Sequence, residues 1–202
     1  MKKSILALAL VSFVAISCGD KKSTDTPAAP EQAVEQTTEA PKQKELTYTV
    51  EWTAFKTPAK VGVKGTFDEI KLAEVNQEAA TLEEGLKGAQ FAIVTSSAST
   101  GDPARDETLR LNFFSKLVGN INGFFGEFKD GKVLVNLTLN GVTKEKEFTY
   151  VATENGVKLN GSIDILADFT AKDAFNALHE ACNALHEGKT WSDVDIAVEI
   201  KK

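Results

Sequence analysis

The sequence predicts an all-β domain, a closed barrel of eight or nine mainly antiparallel strands with two helical interruptions. The first observation is the strict alternation of apolar and polar residues in LTYTVEWTA (46–54), which is typical of a strand with one buried face. The second is a set of turn signals in the later half, at Asp130-Gly131, Asn140-Gly141 and Asn155-Gly156. These pairs supply the positive φ that tight hairpins require. We favour a barrel over a sandwich because closure removes the exposed edges of such a meander.

The same period of two recurs in each candidate strand. After 46–54, the candidates are 60–67, 68–75, 89–96, 122–128, 133–139, 143–151, 157–165 and 194–200. Stretches of this length with one apolar face are the usual building blocks of a small barrel.

The stretch TGDPARDETLRLNFF (100–114) interrupts the strands with a short helix. Asp102 is suited to cap this helix and Pro103 to occupy its first position, where the missing N–H costs nothing. Asp106 lies four residues before Arg110 on the same helical face. The helix also carries an apolar surface that we expect to plug one end of the barrel, formed by Leu109, Phe113, Phe114 and Leu117.

The chain begins with the pattern of a secretory signal. Two lysines precede an apolar run over residues 5–14, which is too short to span a membrane. The run ends in AISC (15–18), which resembles the bacterial lipobox, where cleavage precedes a cysteine that is then acylated. We therefore expect 1–17 to be a signal peptide and Cys18 to be the lipid-attachment site. Ordinary secretion with a fortuitous cysteine is the alternative.

A polar segment follows the expected lipid-attachment site and extends to residue 45. Residues 19–44 include no aromatic residue and a single branched aliphatic one, Val34. Such a segment cannot bury enough apolar area to offset its ordering entropy. We expect 18–45 to be a lipidated, disordered tether and 46–202 to be the folded domain.

The chain is acidic, with 23 Lys and Arg against 29 Asp and Glu and a formal net charge of -6. This balance argues against nucleic acid as a partner and against electrostatic docking on anionic lipid. Membrane attachment would rest on the acyl chains of Cys18, each buried CH₂ contributing about 0.8 kcal/mol. The expected location is the periplasmic side of a membrane, with the outer membrane favoured. The sequence leaves open whether two copies of the chain form a homodimer.

A second helical stretch, DFTAKDAFNALHEACNALHEG (168–188), precedes the last strand. His179, Cys182 and His186 lie on one side of it and make a partial site for zinc or copper. Alternatively, the histidines border an apolar stripe in which Cys182 is a small buried residue. Because a structural zinc site needs four ligands, we expect no metal and no other cofactor. The stripe comprises Phe175, Leu178, Cys182 and Leu185.

Three blocks of the sequence carry a family resemblance. The first is Thr-Gly-Asp-x-x-Arg-Asp-x-x-Leu-Arg followed by Phe-Phe (100–114), the second is GKVLVNLTLNGVTKEKEF (131–148), and the third is VKGTFDEI (63–70). Together they resemble the YceI-like polyisoprenoid-binding domain family over roughly residues 46 to 200. The chain departs from the family in VEWTAFKTPAKVGVKG (50–65), which lacks the usual Ser and His.

The resemblance implies a lipocalin-like, eight-stranded antiparallel barrel in a secreted or periplasmic protein, with a short plug helix and a longer helix before the last strand. In the family, an elongated cavity holds an isoprenoid chain. Eight strands enclose a space that side chains can fill or that one slender ligand can occupy.

The expected function is that of a lipid-binding lipoprotein, a carrier or sensor for an isoprenoid quinone, isoprenyl phosphate or similar amphiphile. Arg105 is expected either to anchor the head group, since guanidinium matches phosphate oxygens, or to orient the plug helix through an ion pair with Asp106. The apolar side chains expected to line the cavity are Trp52, Val61, Val63, Phe91, Ile93, Phe113, Phe114, Phe124, Phe128, Val135, Leu137, Phe148 and Tyr150.

Other classes of function have weaker support in the sequence. It has no G-x-S-x-G elbow, Walker loop or G-x-G-x-x-G turn, so we expect no catalytic residues and no enzyme activity. The alternative to lipid binding is a stress-related surface lipoprotein with a filled barrel that acts through protein contacts. A third hypothesis is metal-dependent chemistry on the late helix.

Overall fold

Ten strands form one antiparallel sheet in the computed structural model, which describes residues 45–202. The expected signal peptide (1–17), the lipid-attachment site Cys18 and the tether up to residue 44 lie outside the described residues. The strands are β1 (Thr47–Lys56), β2 (Val61–Phe67), β3 (Ile70–Ala73), β4 (Gln90–Ile93), β5 (Ala98–Ser99), β6 (Ile121–Lys129), β7 (Lys132–Leu139), β8 (Val142–Thr153), β9 (Gly156–Asp164) and β10 (Thr190–Lys201).

Three α-helices accompany the sheet. They are α1 (Leu82–Leu86), α2 (Pro103–Asn112) and α3 (Lys172–Cys182), with 3₁₀ turns at Thr95–Ser97 and Phe114–Lys116. Across residues 45–202, no helix is both long enough and apolar enough to cross a membrane.

The ten strands lie on eight chain segments that close into a ring. The order is β3-β4-β6-β7-β8-β9-β10-β1-β2-β5, yet β3 continues β2 after a break at Asp68 and Glu69, and β5 continues β4 after the first 3₁₀ turn. Two backbone bonds of 3.0 Å span the breaks, from Asp68 N to the Ser97 carbonyl and from Val94 N to the Glu69 carbonyl. The expected all-β fold is confirmed, and the strand count is ten because these two segments are interrupted.

The local signals of the sequence explain most of these elements. Asp130-Gly131 and Asn140-Gly141 have positive φ and make the two-residue turns before β7 and β8. At the next turn, Glu154 and Asn155 join β8 to β9 without that conformation. Gly156 is required there for another reason, because a Cβ atom would lie 2.1 Å from the Ile200 carbonyl oxygen.

The largest buried cluster of the barrel interior lies at the end covered by α1. Thr81 caps this short helix by accepting a hydrogen bond from Glu84 N. Leu86 of α1 is fully buried, and the helix closes that end of the barrel. The buried cluster beneath it comprises Leu82, Leu86, Ala89, Phe125, Val133, Val135, Phe148, Val157, Leu159 and Ile200.

The opposite end of the barrel is covered by α2 and α3. Phe113, Ile165 and Ala174 form a small buried cluster between these helices, and Phe169 is fully buried below it. The expected plug helix is therefore present at this end, although α2 has no fully buried residue of its own. It covers the rim of the barrel instead of entering it.

The close approach at Gly156 gives a test of the strand register. Gly156→Ala should lower the free energy of unfolding by about 1 to 3 kcal/mol, because the backbone of β10 must move to admit the methyl group. Gly62→Ala is the matched control, since its Cβ would meet side-chain atoms and no backbone, namely the Thr53 methyl at 3.0 Å and the Phe55 ring at 3.7 Å. Urea denaturation measures both, and equal losses would contradict the close pairing of β9 with β10.

Candidate ligand-binding cavity

The main cavity lies inside the barrel, between the sheet and the two covering helices. Its volume is about 480 Å³, within the usual range for small-molecule sites. Most of the lining is apolar and aromatic. The strands contribute Trp52, Ala54, Phe55, Val63, Phe67, Ile121, Leu139, Ile163, Val194 and Ile196, and the covering segments contribute Leu109, Phe113, Phe114, Ile165, Phe175, Leu178, Ala181, Cys182 and Leu185.

A second, smaller cavity extends the interior toward α1. It measures about 90 Å³ and its lining includes Tyr48, Val50, Phe91, Val135, Leu137 and Phe148. The two cavities share five lining residues, namely Phe67, Ile121, Leu139, Ile163 and Ile196. The smaller cavity therefore continues the main one toward α1.

The main cavity reaches solvent at the rim beside α2 and α3. Leu185, which lines it, is 76% exposed. The side chains of Asp102 and Arg105, which also line it, are 47% and 42% exposed. An apolar ligand can thus enter from this end of the barrel.

The N-terminus of α2 is fixed by two aspartates. Asp102 caps the helix by accepting from Ala104 N and Arg105 N, and Pro103 follows at the first position, as predicted. The hydrogen bond from Arg105 N is the main cause that lowers the pKa of Asp102. Asp106 Oδ1 accepts from Thr100 N at 2.7 Å and from Thr100 Oγ1 at 2.6 Å, so it holds the preceding loop against the helix.

The ion pairs of α2 differ from the predicted ones. Arg105 pairs with Asp102, at 3.1 Å, and not with Asp106. Arg110 pairs with Glu107 instead of Asp106. The physical reason is that Asp106 is already occupied by Thr100, while each arginine has another carboxylate three residues earlier on the helix.

The segment before α3 is held by a second pair of aspartates. Asp164 Oδ1 accepts from Leu166 N at 2.9 Å and from Ala167 N at 2.8 Å. Asp168 Oδ2 accepts from Asp164 N at 2.8 Å and from Lys146 Nζ at 2.6 Å. This turn directs α3 back over the mouth of the barrel.

A polar cluster joins the C-terminal end of α3 to the first residue of β10. Thr190 Oγ1 lies 3.1 Å from His179 Nδ1 and 3.0 Å from His186 Nδ1, and Asn183 Nδ2 lies 3.3 Å from His179 Nε2. The Thr190 hydroxyl can accept from His179 and donate to His186, and the Asn183 amide can donate to His179. Thr190 therefore links the helix to the strand through both histidines.

The surroundings of the late helix favour uncharged side chains. Burial lowers the pKa of His186, and the positive charges of Lys56 and His179 lower it further. Burial also raises the pKa of the Cys182 thiol, against the opposing effect of Lys56. Within residues 45–202, no three His, Cys, Asp or Glu side chains form a group that could hold a metal ion. The two histidines contact Thr190 and do not form a metal-binding group with Cys182.

This barrel has a counterpart in a known protein family. The sequence profile described as the YceI-like domain matches residues 38–201. The chain belongs to the YceI-like domain family. No curated protein is significantly similar to it.

Solved structures share the YceI-like fold at low sequence identity. A polyisoprenoid-binding domain from Saccharophagus degradans, implicated in plant cell wall breakdown, has a TM-score of 0.54 at 14% identity, covering 76% of this chain and 91% of that one. Burkholderia cenocepacia BcnA has a TM-score of 0.51 at 17% identity, with 76% and 94% covered. A Campylobacter jejuni YceI protein has a TM-score of 0.50 at 21% identity, with 70% and 85% covered.

The YceI-like barrel places most of the predicted lining residues around the two cavities. Arg105 and nine apolar residues are there, namely Trp52, Val63, Phe91, Ile93, Phe113, Phe114, Val135, Leu137 and Phe148. Phe128 and Tyr150 are absent from both linings. Their rings meet edge to face, with centroids 5.1 Å apart, beside the buried cluster near α1.

Phe124 and Val61, which the sequence predicts to line the cavity, line neither of the two cavities. Phe124 is 45% exposed and Val61 is 48% exposed. Val61 is the first residue of β2, at the rim. In β6 the register shifts between Phe125 and Phe128, and such a bulge changes which residues face inward. Phe125 therefore lies inside and Phe124 outside.

Sequence analysis missed part of the mouth of the cavity. Lys56, Thr190 and Trp191 line it, and all three lie just outside the predicted strands 46–54 and 194–200. The apolar stripe predicted on the late helix does line the cavity, through Phe175, Leu178, Cys182 and Leu185. The amphipathic pattern of α3, just before β10, is the sequence feature that indicates a helix covering the cavity.

The lowered pKa of His186 predicts that the packing of α3 over the cavity becomes less stable in acid. The unfolded chain binds a proton near pH 6.5, whereas the folded protein binds it only at lower pH. The stabilisation from neutral His186 is therefore present above about pH 6.5 and is lost as the pH falls through the folded-state pKa.

Urea denaturation between pH 7.5 and 5 measures this effect. The wild-type protein should lose more unfolding free energy over this interval than His186→Gln, which cannot titrate there. Parallel losses in the two proteins would show that His186 is not held neutral by the fold.

Proposed function

We propose that this protein binds an isoprenoid-type amphiphile in the main cavity and acts as its carrier or sensor. The observation that carries the proposal is a barrel hollow at one end, with an apolar space of about 480 Å³ that reaches solvent. Membership in the YceI-like family supports it, as does the fold shared with a structure described as a polyisoprenoid-binding domain.

The shape of the interior suits a slender apolar tail. The main cavity is followed by the smaller one of about 90 Å³, whose lining is entirely apolar. Removing apolar surface from water contributes about 25 cal/mol per Å², so a tail lying along this path gains affinity from its whole length. The few polar groups at the mouth would set its orientation.

A binding role fits the chemistry of the site better than an enzymatic one. Both histidines contact Thr190, and the raised pKa of Cys182 disfavours the reactive thiolate. The alternative of a filled barrel acting through protein contacts agrees with the packed end near α1. The hollow end favours ligand binding.

The first part of the chain supports a location for this activity. We propose that residues 1–17 are removed, that Cys18 is acylated, and that the barrel is held on the periplasmic side of a membrane, with the outer membrane favoured. The support is the apolar run and the AISC sequence at residues 15–18. A tethered barrel could take up a lipid from the same membrane.

Filling the cavity should abolish ligand uptake. Ala54 lines the main cavity, so Ala54→Phe places a phenyl ring in the space meant for the tail. We expect at least a tenfold loss of affinity for farnesol, with little loss of stability because the space is open. The chain has two tryptophans, and both line the main cavity, so tryptophan fluorescence reports binding directly.

The matched control is Ala197→Phe. Ala197 is paired with Glu51 and lies on the outer face of β10, where it borders a groove outside the barrel. This variant should bind farnesol like the wild type. Equal affinities of all three proteins would contradict binding inside the barrel.

Acylation is tested separately in a bacterial host that processes lipoproteins. The full chain should incorporate an alkyne-labelled fatty acid and partition with membranes, whereas Cys18→Ala should do neither. Cys182→Ala is the control, because Cys182 is the chain's other cysteine and is buried. Labelling that persists in Cys18→Ala would refute the proposed anchor.

A further inference from the structure

In the part of the chain that the structure describes, one cation in the wall of the main cavity lacks a carboxylate partner. Lys56 is the last residue of β1, half-buried, and lines the cavity. Among residues 45–202, no carboxylate oxygen lies within 4.0 Å of its Nζ, although nine ion pairs form elsewhere in this part of the chain.

Three neighbours of Lys56 in the cavity wall bring no negative charge to it. It is paired across the sheet with Thr190, the residue that both histidines contact. Its charge acts on His186 and Cys182, which also line the cavity. None of the three offsets the charge of Lys56, in a chain whose formal net charge is -6.

The other charged residues at the mouth have contacts of their own. Asp102 and Arg105, on the α2 side of the cavity, pair with each other at 3.1 Å. Lys60, just outside the rim, pairs with Asp193 at 2.7 Å and lies 5.0 Å from the centre of the Trp191 ring. Lys189 lies over the same ring at 4.4 Å.

We propose that Lys56 binds an anionic head group, a phosphate or a carboxylate, of the amphiphile whose tail occupies the cavity. A half-buried ammonium without a carboxylate partner is stabilised when an anion lies beside it. This inference rests on the proposed function and narrows its ligand class to anionic amphiphiles. It assigns the head group to Lys56 and not to Arg105, whose guanidinium is engaged by Asp102.

A pair of probes with the same tail tests this assignment. Farnesyl phosphate and farnesol share one isoprenoid chain and differ in the charge of the head. Tryptophan fluorescence of the full-length protein at pH 7.5 should show tighter binding of farnesyl phosphate. Lys56→Gln should lower the affinity for farnesyl phosphate about tenfold, the loss typical of one charge-assisted hydrogen bond, and leave the affinity for farnesol within about twofold.

Two further variants control for general effects. Lys64→Gln makes the same change on the outer face of β2, where Lys64 pairs with Glu51 at 2.6 Å, and should bind both probes like the wild type. Lys56→Arg keeps the charge and should retain the preference for the phosphate. Retained farnesol binding by Lys56→Gln also shows that this variant is folded.

The outcomes separate this inference from the proposed function. If farnesol binds and Lys56→Gln binds farnesyl phosphate like the wild type, the head-group assignment is wrong and the carrier proposal stands. If neither probe binds the wild-type protein, both proposals fail. If inorganic phosphate alone displaces farnesyl phosphate at equal concentration, Lys56 serves a free-phosphate site and the amphiphile assignment is overturned.

Discussion

Closure of the sheet is the constraint on which the rest of the molecule depends. β2 pairs with β1 while its continuation β3 pairs with β4, and the break at Asp68 and Glu69 lets one segment serve both neighbours. Without this closure, two strand edges would expose unpaired backbone groups to solvent and to other chains. With it, the barrel has only two ends, and the helices cover them: α1 covers one, and α2 with α3 cover the other.

The two ends differ because of the side chains that point inward. Near α1, Leu86, Phe125 and Phe148 belong to the largest buried cluster, and the cavity at this end measures only about 90 Å³. Near α2 and α3, the small Ala54 and Val63 line an open space with Trp52. An eight-segment barrel has room for side chains or for one narrow ligand, and this chain divides its interior between the two. Placement of Lys56 at the hollow end gives that space a polar mouth.

Strands and the start of a helix could be predicted from short repeating patterns in the sequence. Contacts between residues far apart in the chain could not. Alternation located nine of the ten strands, and Asp102-Pro103 located the start of α2. The helix α1 has five residues, too few to show a helical period. The bulge in β6 reversed the placement of Phe124, because local alternation does not reveal an inserted residue. Which carboxylate Arg105 meets depends on the loop at Thr100. The isolation of Lys56 depends on Asp193 of the neighbouring β10, which pairs with Lys60 instead.

The central claim is that the hollow end of the barrel holds a lipid, and the most direct test is to ask what the protein carries when it is isolated. The full chain, purified without added lipid, would be extracted with organic solvent, and the extract analysed by mass spectrometry beside that of a cavity-filled variant. The account predicts a long-chain isoprenoid amphiphile close to one per protein, absent from the filled variant. An empty extract from protein that also fails to take up added isoprenoids would contradict it.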